Sequence, residues 1–469
     1  MFLLLVLIPM FLVLLLNVNL FKINERVAIL IAGLFSLFQM FFVFSPGFFS
    51  NVLVDMLALK FECDGISWIM VFTISIVAFA SICVLYANLT ITPRKKFHFV
   101  NLILLSVAGM NGLVFVRDIF SVYVFIEIIA ATSYVLIALD KTKKSLEASF
   151  KYLVISSVAT VMMLSAIAIL FLVAGSTEFA EITKMYKEYG TNPLVVVASV
   201  FFIVGLFIKG GVMPFHGWLP DAYSASPTPT SVFLAGIVTK TTGIYTLVRL
   251  YSIFDFSYSM QLIFLIFGAL SIVVGAMGAI NQNNFKRMLA YSSISQVGYI
   301  VLALGSGTIL GVFAGMFHLF NHSVFKALLF VNASALERQV KTNKIDQMAG
   351  GLGSQMPVTA TTSVIAFLST AGIPPLAGFW SKFLIVVALW FSGNKEFAIL
   401  ALLASIFTIT YFLIMQKKIF FGHLKEKFNT IKEAPFAIRF ASLFLCTITV
   451  LTGLFFPLVL NFMAFLFSF

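Results

Sequence analysis

Long apolar runs alternate with short polar segments along all 469 residues of this chain. The runs are about 20 residues long, the length a helix needs to cross a bilayer at 1.5 Å per residue. Fourteen such spans are predicted, near 1–20, 27–46, 65–87, 98–116, 119–139, 149–173, 194–218, 229–252, 259–281, 288–305, 308–335, 357–390, 397–416 and 440–466. The tenth and eleventh are separated only by the turn Gly305-Ser306-Gly307. Short alternating segments of the kind that build membrane barrels are not seen. With no water to satisfy backbone groups, helices are then the spanning element.

The basic residues test this count independently. Loops that follow odd-numbered spans hold 20 of the 30 Lys and Arg, including Lys22, Arg94, Lys95, Lys96, Arg287, Arg338 and Lys418. Loops that follow even-numbered spans hold six: Lys60, Arg117, Lys184, Lys187, Arg249 and Lys395. A missed or extra span in the middle would scramble this asymmetry. By the positive-inside rule it places the odd loops in the cytoplasm and both termini outside. The segment 416–439 mixes Lys and Glu with Ile419, Phe420, Phe421, Leu424, Phe428 and Ile431. It is expected to form a short amphipathic helix on the cytoplasmic surface, with a solvated connector as the alternative.

Composition agrees with the pattern. The chain is 61% hydrophobic and 10% charged, with a mean hydropathy of +1.07. Soluble domains carry about a quarter charged residues. The 55 Phe residues against four Trp suit a large lipid-facing surface. Cys63, Cys83 and Cys446 lack metal-ligand spacing and read as small apolar residues. No haem, iron–sulfur, dinucleotide or P-loop signature occurs, so no cofactor is expected in this chain. The net charge of +12 is explained by the loops, not by a nucleic-acid partner. The first run lacks a basic leader and a small-residue cleavage site, so it reads as a retained helix.

Five ionisable residues fall where the bilayer makes them expensive. A lysine at a helix centre costs about 2.5–3.5 kcal/mol on insertion scales, so such residues face protein or water and are functional candidates. Glu127 lies about 13 Å into its span, too deep for a carboxylate to reach water directly. Lys209 precedes Gly210, Gly211 and Pro214, which are expected to break its helix. Lys240 sits near the middle of the eighth span. Lys382 follows Gly372-Ile-Pro-Pro-Leu-Ala-Gly, a second interruption. Paired broken segments point to a repeat transporter. Lys209 and Lys382 are 173 residues apart, but the same offset from Glu127 lands on Ile300, so the carboxylate has no counterpart.

In the eleventh span His318, His322 and Lys326 recur every four residues and share one helix face. Such a stripe suits a proton relay, because histidine titrates in the physiological range. Metal binding needs more ligands than the chain offers nearby. His216 and Asp221, near the cytoplasmic end of the broken helix, either gate proton entry or satisfy backbone at the break.

Four runs resemble antiporter-like membrane subunits of respiratory complex I, membrane-bound energy-converting hydrogenases and Mrp-type multisubunit sodium/proton antiporters. They are Lys209 to Ser231, Asn284 to Tyr299, Asn321 to Phe330, and Gly372 to Lys382. The resemblance implies 14 helices with two inverted five-helix repeats, helices 4–8 and 9–13, and broken helices 7 and 12. Residues 1–97 would form the first three helices, 98–252 and 253–416 the repeats, and 417–469 a connector and the last helix. Glu127 and Lys209 would be the charge pair of one half-channel, Lys240 the connecting lysine, His322 and Lys326 its continuation, and Lys382 the lysine of the second half-channel. The chain resembles the family's shorter members, which lack the long lateral helix of the largest one. The resemblance also implies other membrane subunits as partners, further antiporter-like subunits among them. The ion would be H⁺, or H⁺ exchanged for Na⁺, across a prokaryotic cell membrane. Redox chemistry would belong to partner subunits, with a non-redox antiporter as the alternative.

Overall fold

The computed structural model describes residues 1–18, 23–45, 48, 50–56, 59–88, 91–190, 192–251, 253–254 and 258–467. Lys22 and the last residues of the spans expected at 1–20, 27–46 and 229–252 lie outside these. Among the described residues, twelve helices are long and apolar enough to cross a membrane. The shorter helix α1 (Leu4–Asn17) and the helix pair Pro357–Ala371 and Ala377–Phe391 complete the expected set. The fold is all-α and multi-pass.

The first half contains α2 (Glu25–Phe42), α3 (Gly65–Ala87), α4 (Pro93–Phe115), α5 (Ile119–Ile137), α6 (Lys143–Ala174), α7 (Phe179–Tyr189), α8 (Pro193–Gly210) and α9 (Trp218–Ala225). The continuous helical segment α10 (Thr228–Tyr251) follows. It is π-helical through Leu234–Val238 and Lys240–Tyr245. The second half contains α11 (Tyr258–Ile280), α12 (Phe285–Gly305), α13 (Ile309–Val340), α14 (Pro357–Ala371), α15 (Ala377–Phe391), α16 (Lys395–Ile419), α17 (Phe436–Leu454) and α18 (Phe456–Phe467).

Small polar residues start many of these helices by accepting an otherwise orphaned backbone N–H. Asp64 accepts from Ser67 N, Asp118 from Ser121 N, Asn284 from Arg287 N and Thr308 from Gly311 N. The turn between α12 and α13 falls at Gly307, whose φ of +68° an L side chain rarely adopts.

Both expected breaks are present, and their construction is parallel. The seventh span stops at Gly210 and restarts at Trp218; the twelfth stops at Ala371 and restarts at Ala377. A glycine with positive φ caps each stop, Gly211 at +70° and Gly372 at +86°. Freed backbone groups find partners inside the protein, as hydrocarbon depth demands. Trp218 Nε1 donates to Ile208 O at 3.0 Å, and Gly378 N donates to Ser369 Oγ at 3.1 Å.

Polar loop residues segregate by face. Lys95 pairs with Asp140, Lys151 with Asp221, and Lys418 with Asp346, all in or beside loops that follow odd spans. Lys60 pairs with Glu178, and Arg117 with Glu62 and Asp64, all beside even loops. No ion pair among the described residues joins the two sets. This is what an alternating topology requires.

Three local features depart from the expectation. The segment 416–439 is not an amphipathic helix. Helix α16 runs on to Ile419, and Phe436 begins α17; between them lies only the short 3₁₀ turn Glu426–Phe428. Phe420, Phe428 and Ala434 are buried in this strap. Gly353 N donates to Phe420 O, and Leu352 N to Ile419 O, so its backbone pairs with the loop before α14 rather than with itself. An antiparallel hairpin, β1 (Ser50–Met56) and β2 (Leu59–Cys63), covers the even-loop face, with Val54 opposite Phe61. Helix α7 on that face is a further addition to the expected elements. Its apolar residues Phe179, Ile182, Met185 and Tyr186 fall on one side and are buried.

Candidate functional site

Lys209 stands in the last turn of α8, immediately before the first break. Its Nζ donates to Glu127 Oε1 at 2.8 Å and also to Ser156 Oγ. Thr160 donates to the same carboxylate oxygen at 2.8 Å. The pair thus ties α5, α6 and α8. The two partners are not equally enclosed. The side chain of Glu127 is 29% exposed, one turn from the exposed Val124 on α5, whereas that of Lys209 is 0% exposed. Glu127 therefore lies on the rim at mid-span, between α5 and α6.

Helix α8 meets the π-helical part of α10 at a glycine contact. A Cβ on Gly243 would stand 2.3 Å from Gly210 Cα, so only glycine permits this approach. The contact places the residue after Lys209 against a residue three beyond Lys240. Lys240 is buried, and its Nζ donates to Ala235 O within its own helix. The same segment packs on α13, where Gly236 lies against Ala327, next to Lys326.

Lys326 is buried and donates to Leu289 O at 3.0 Å and to Ser292 Oγ, both on α12. One and two turns back along α13 stand His322 and His318. Their rings are 6.1 Å apart and nearly parallel. His318 Nδ1 shares a 2.8 Å hydrogen bond with Ser381 Oγ. Ser381 adjoins Lys382, whose Nζ lies 4.4 Å from the centre of the Tyr299 ring. Tyr299 also faces His318, with ring centres 5.9 Å apart. Lys209, Lys240, His318, His322 and Lys326 are at most 1% exposed, and Lys382 is 5% exposed. The six form one buried row across the middle of the molecule.

His216 and Asp221 stand apart from this row. His216 belongs to the 3₁₀ turn Phe215–Gly217, with its ring 6.3 Å from that of Tyr291. Asp221 pairs with Lys151 at 2.9 Å and with Arg287, on the odd-loop face.

Other residues at the site are not singled out by charge, although Ser292, Tyr299 and Ser381 fall within the runs that carry the resemblance. Ser156, Ser292, Tyr299 and Ser381 are polar groups in apolar runs, and nothing in the spacing singles them out. Lys286, expected in a loop, is 1% exposed and pairs with Glu337 at 2.6 Å. Thr228 and Asn343 also donate to Glu337, at 3.0 and 2.6 Å. This second pair, again a buried lysine with a part-exposed glutamate, borders a cavity of about 590 Å³ on the odd-loop face, lined also by Asp140, Ser226, Ser334 and Arg338. No group of His, Cys, Asp and Glu able to hold a metal occurs among the described residues.

Residues 116–408, which carry the whole row, match the family model described as NADH:quinone oxidoreductase/Mrp antiporter, TM. The chain belongs to this family. A subunit of the Na(+)/H(+) antiporter of Alkalihalophilus pseudofirmus is 33% identical over 379 residues, 80% of this chain and 75% of that protein. A subunit of the NADH-quinone oxidoreductase of Parvibaculum lavamentivorans is 32% identical over 400 residues, 84% of this chain and 82% of that protein. A chain of the membrane-bound sulfane sulfur reductase, an archaeal respiratory membrane complex, superposes with a TM-score of 0.87 at 28% identity, covering 98% of this chain and 96% of that one. The matched region contains every residue of the buried row, from Lys209 to Lys382.

Proposed function

We propose that the chain moves protons across a prokaryotic cell membrane as an antiporter-like subunit of a multisubunit complex. The observation that carries the reading is the buried row from Lys209, paired with Glu127, through Lys240, Lys326, His322 and His318 to Lys382. Buried lysines and histidines without fixed carboxylate partners exchange protons more readily than charges locked in pairs. In this row only Lys209 has such a partner. Opening of the Glu127–Lys209 pair leaves a desolvated ammonium, which favours passing its proton on towards Lys240. The row then hands it through Lys326, His322 and His318 to Lys382. His216 and Asp221 are assigned to the odd-loop entrance, where Asp221 already holds two basic residues.

Glu127 supports a partner on its face. A carboxylate left 29% exposed at mid-span would be costly against lipid. Another membrane subunit covering α5 and α6 would supply it with polar surroundings. The relatives named for respiratory complexes favour redox chemistry in partner subunits as the driving force, with no cofactor held by this chain. The relative named for a Na(+)/H(+) antiporter favours the second reading, proton exchange for sodium. In both readings the odd loops face the cytoplasm and both termini lie outside. The division at residues 97, 252 and 416, with inverted repeats between, belongs to the same proposal.

The deciding experiment is Lys326→Ala and Lys382→Ala in the assembled complex, with proton movement followed by a pH-sensitive dye in inverted vesicles. Loss of proton movement in complexes that still assemble supports the row. Undiminished movement in both variants refutes it.

A further inference from the structure

Between Lys326 and Lys382 the structure concentrates buried polar atoms that have no hydrogen-bond partner in the protein. They are both side-chain ends of Gln296, Nε2 of His318 and both ring nitrogens of His322. Orphaned polar atoms at hydrocarbon depth cost on the order of 1–3 kcal/mol each even on protein-derived scales. Partners small enough to serve several of them at once are water molecules, which take 2–4 hydrogen bonds each at such sites.

Gln296 occupies a particular place in this group. It lies on α12, four residues after Ser292 and three before Tyr299. That spacing puts all three on one helix face. Ser292 holds Lys326, and Tyr299 lies under Lys382. The two contacts are seven residues apart, about 10 Å along the helix. That is too far for one direct proton transfer, and Gln296 stands between them. Its side chain is completely buried, with both a donor and an acceptor to offer. A carboxamide does not titrate, so it competes with neither lysine for the proton.

We infer that Gln296 is a positioning residue of the proton path, holding the water that joins Lys326 and the two histidines to Lys382. This rests on the proposed function of the row. The carboxamide anchors two waters, accepting from one and donating to the other, while the proton passes between the waters themselves. An apolar side chain of the same length would leave the histidines and lysines in place and remove the bridge.

The test uses the whole assembled complex in inverted vesicles. Gln296→Met, unbranched and of similar length, is compared with Gln296→His, which restores a neutral hydrogen-bonding group. Lys326→Ala and Lys382→Ala are measured alongside. The methionine variant is expected to assemble and to lose about tenfold in initial proton-transport rate, the size of one lost hydrogen bond to a charged group. Its solvent deuterium isotope effect is expected to rise, because transfer across the gap becomes rate-limiting; a purely structural loss would leave that ratio unchanged. The histidine variant is expected to recover most of the rate. If both lysine variants fail while Gln296→Met keeps the wild-type rate and isotope effect, the role of Gln296 is overturned and the row survives. If the lysine variants also transport normally, the functional reading itself falls. Should the methionine variant fail to assemble, Gln296→His decides: an assembled variant without transport overturns the proposal.

Discussion

Lys209 and Glu127 are joined by a 2.8 Å ion pair in which the lysine is wholly enclosed and the glutamate stands on the rim of the bundle. The asymmetry makes the glutamate the partner that a neighbouring charge can reach. Glu127→Gln keeps the shape and the hydrogen bond to Thr160 but removes the charge. Breaking a buried pair from one side costs about 3–5 kcal/mol where both partners are enclosed, and the partial exposure of Glu127 reduces this. The variant is expected to assemble and to lose proton movement by at least about tenfold, read in inverted vesicles. Adding Lys209→Met should restore thermal stability, because no unpaired charge then remains, without restoring transport.

Glu337 accepts from Lys286, Thr228 and Asn343. It thereby joins the start of α10 to α12 and α13. Glu337→Gln should lower the melting temperature of the purified complex, with a loss of about 1–3 kcal/mol from the stranded lysine. The double variant with Lys286→Met should be less destabilised than Glu337→Gln alone. Equal melting of the single variant and the wild type would show that the pair holds nothing together.

On the opposite face, Asp64 receives Arg249 and Arg117. Burial opposes its ionisation, but the Arg249 guanidinium, then Arg117, outweigh it and hold the carboxyl below the usual carboxylate range. A carboxyl depressed in the folded state binds fewer protons there than in the unfolded state. Its contribution is therefore complete above the ordinary value of about 4 and fades as pH falls towards the depressed one. Thermal melting of the wild type should lose stability on acidification below about pH 4. Asp64→Asn should melt lower at neutral pH and show a flatter acid limb. Parallel acid limbs would remove Asp64 from the account.

The facing of the loops is open to direct labelling. Lys341→Cys lies on the odd-loop face and Lys187→Cys on the even-loop face; both positions are exposed. A membrane-impermeant thiol reagent added to intact cells should modify the second and spare the first. The reverse pattern would invert the orientation without disturbing the topology.

Most of the fold is legible in the sequence because the bilayer writes it in a coarse alphabet. Apolar runs, basic loops and the Gly/Pro interruptions at 210–214 and 372–375 each have one physical meaning there, and the spans and breaks follow. The buried lysines are legible for the same reason, since Lys209, Lys240, Lys326 and Lys382 do not belong in apolar runs unless enclosed. What is not legible depends on tertiary pairing. The strap at 420–435 carries an amphipathic mixture, but its backbone finds partners in the 350–353 loop, and helix formation loses. The hairpin at 50–63 and the exposure of Glu127 depend on which helices neighbour one another. Gln296 and Tyr299 are ordinary polar residues until α12 is laid against α13 and α15.

The two interrupted spans enter from opposite faces, α8 from the even-loop side and α14 from the odd-loop side, and each ends at mid-depth beside a lysine. The carboxyl end of a helix carries a partial negative charge. Lys209 and the Lys382 region are thus each steadied by a helix end of the same sign, reached from contrary directions. Each lysine meets the same partial charge, but Lys209 alone adds a carboxylate partner, Glu127. The backbone therefore supplies a symmetric frame, and the carboxylate of Glu127 marks one end of it as different from the other.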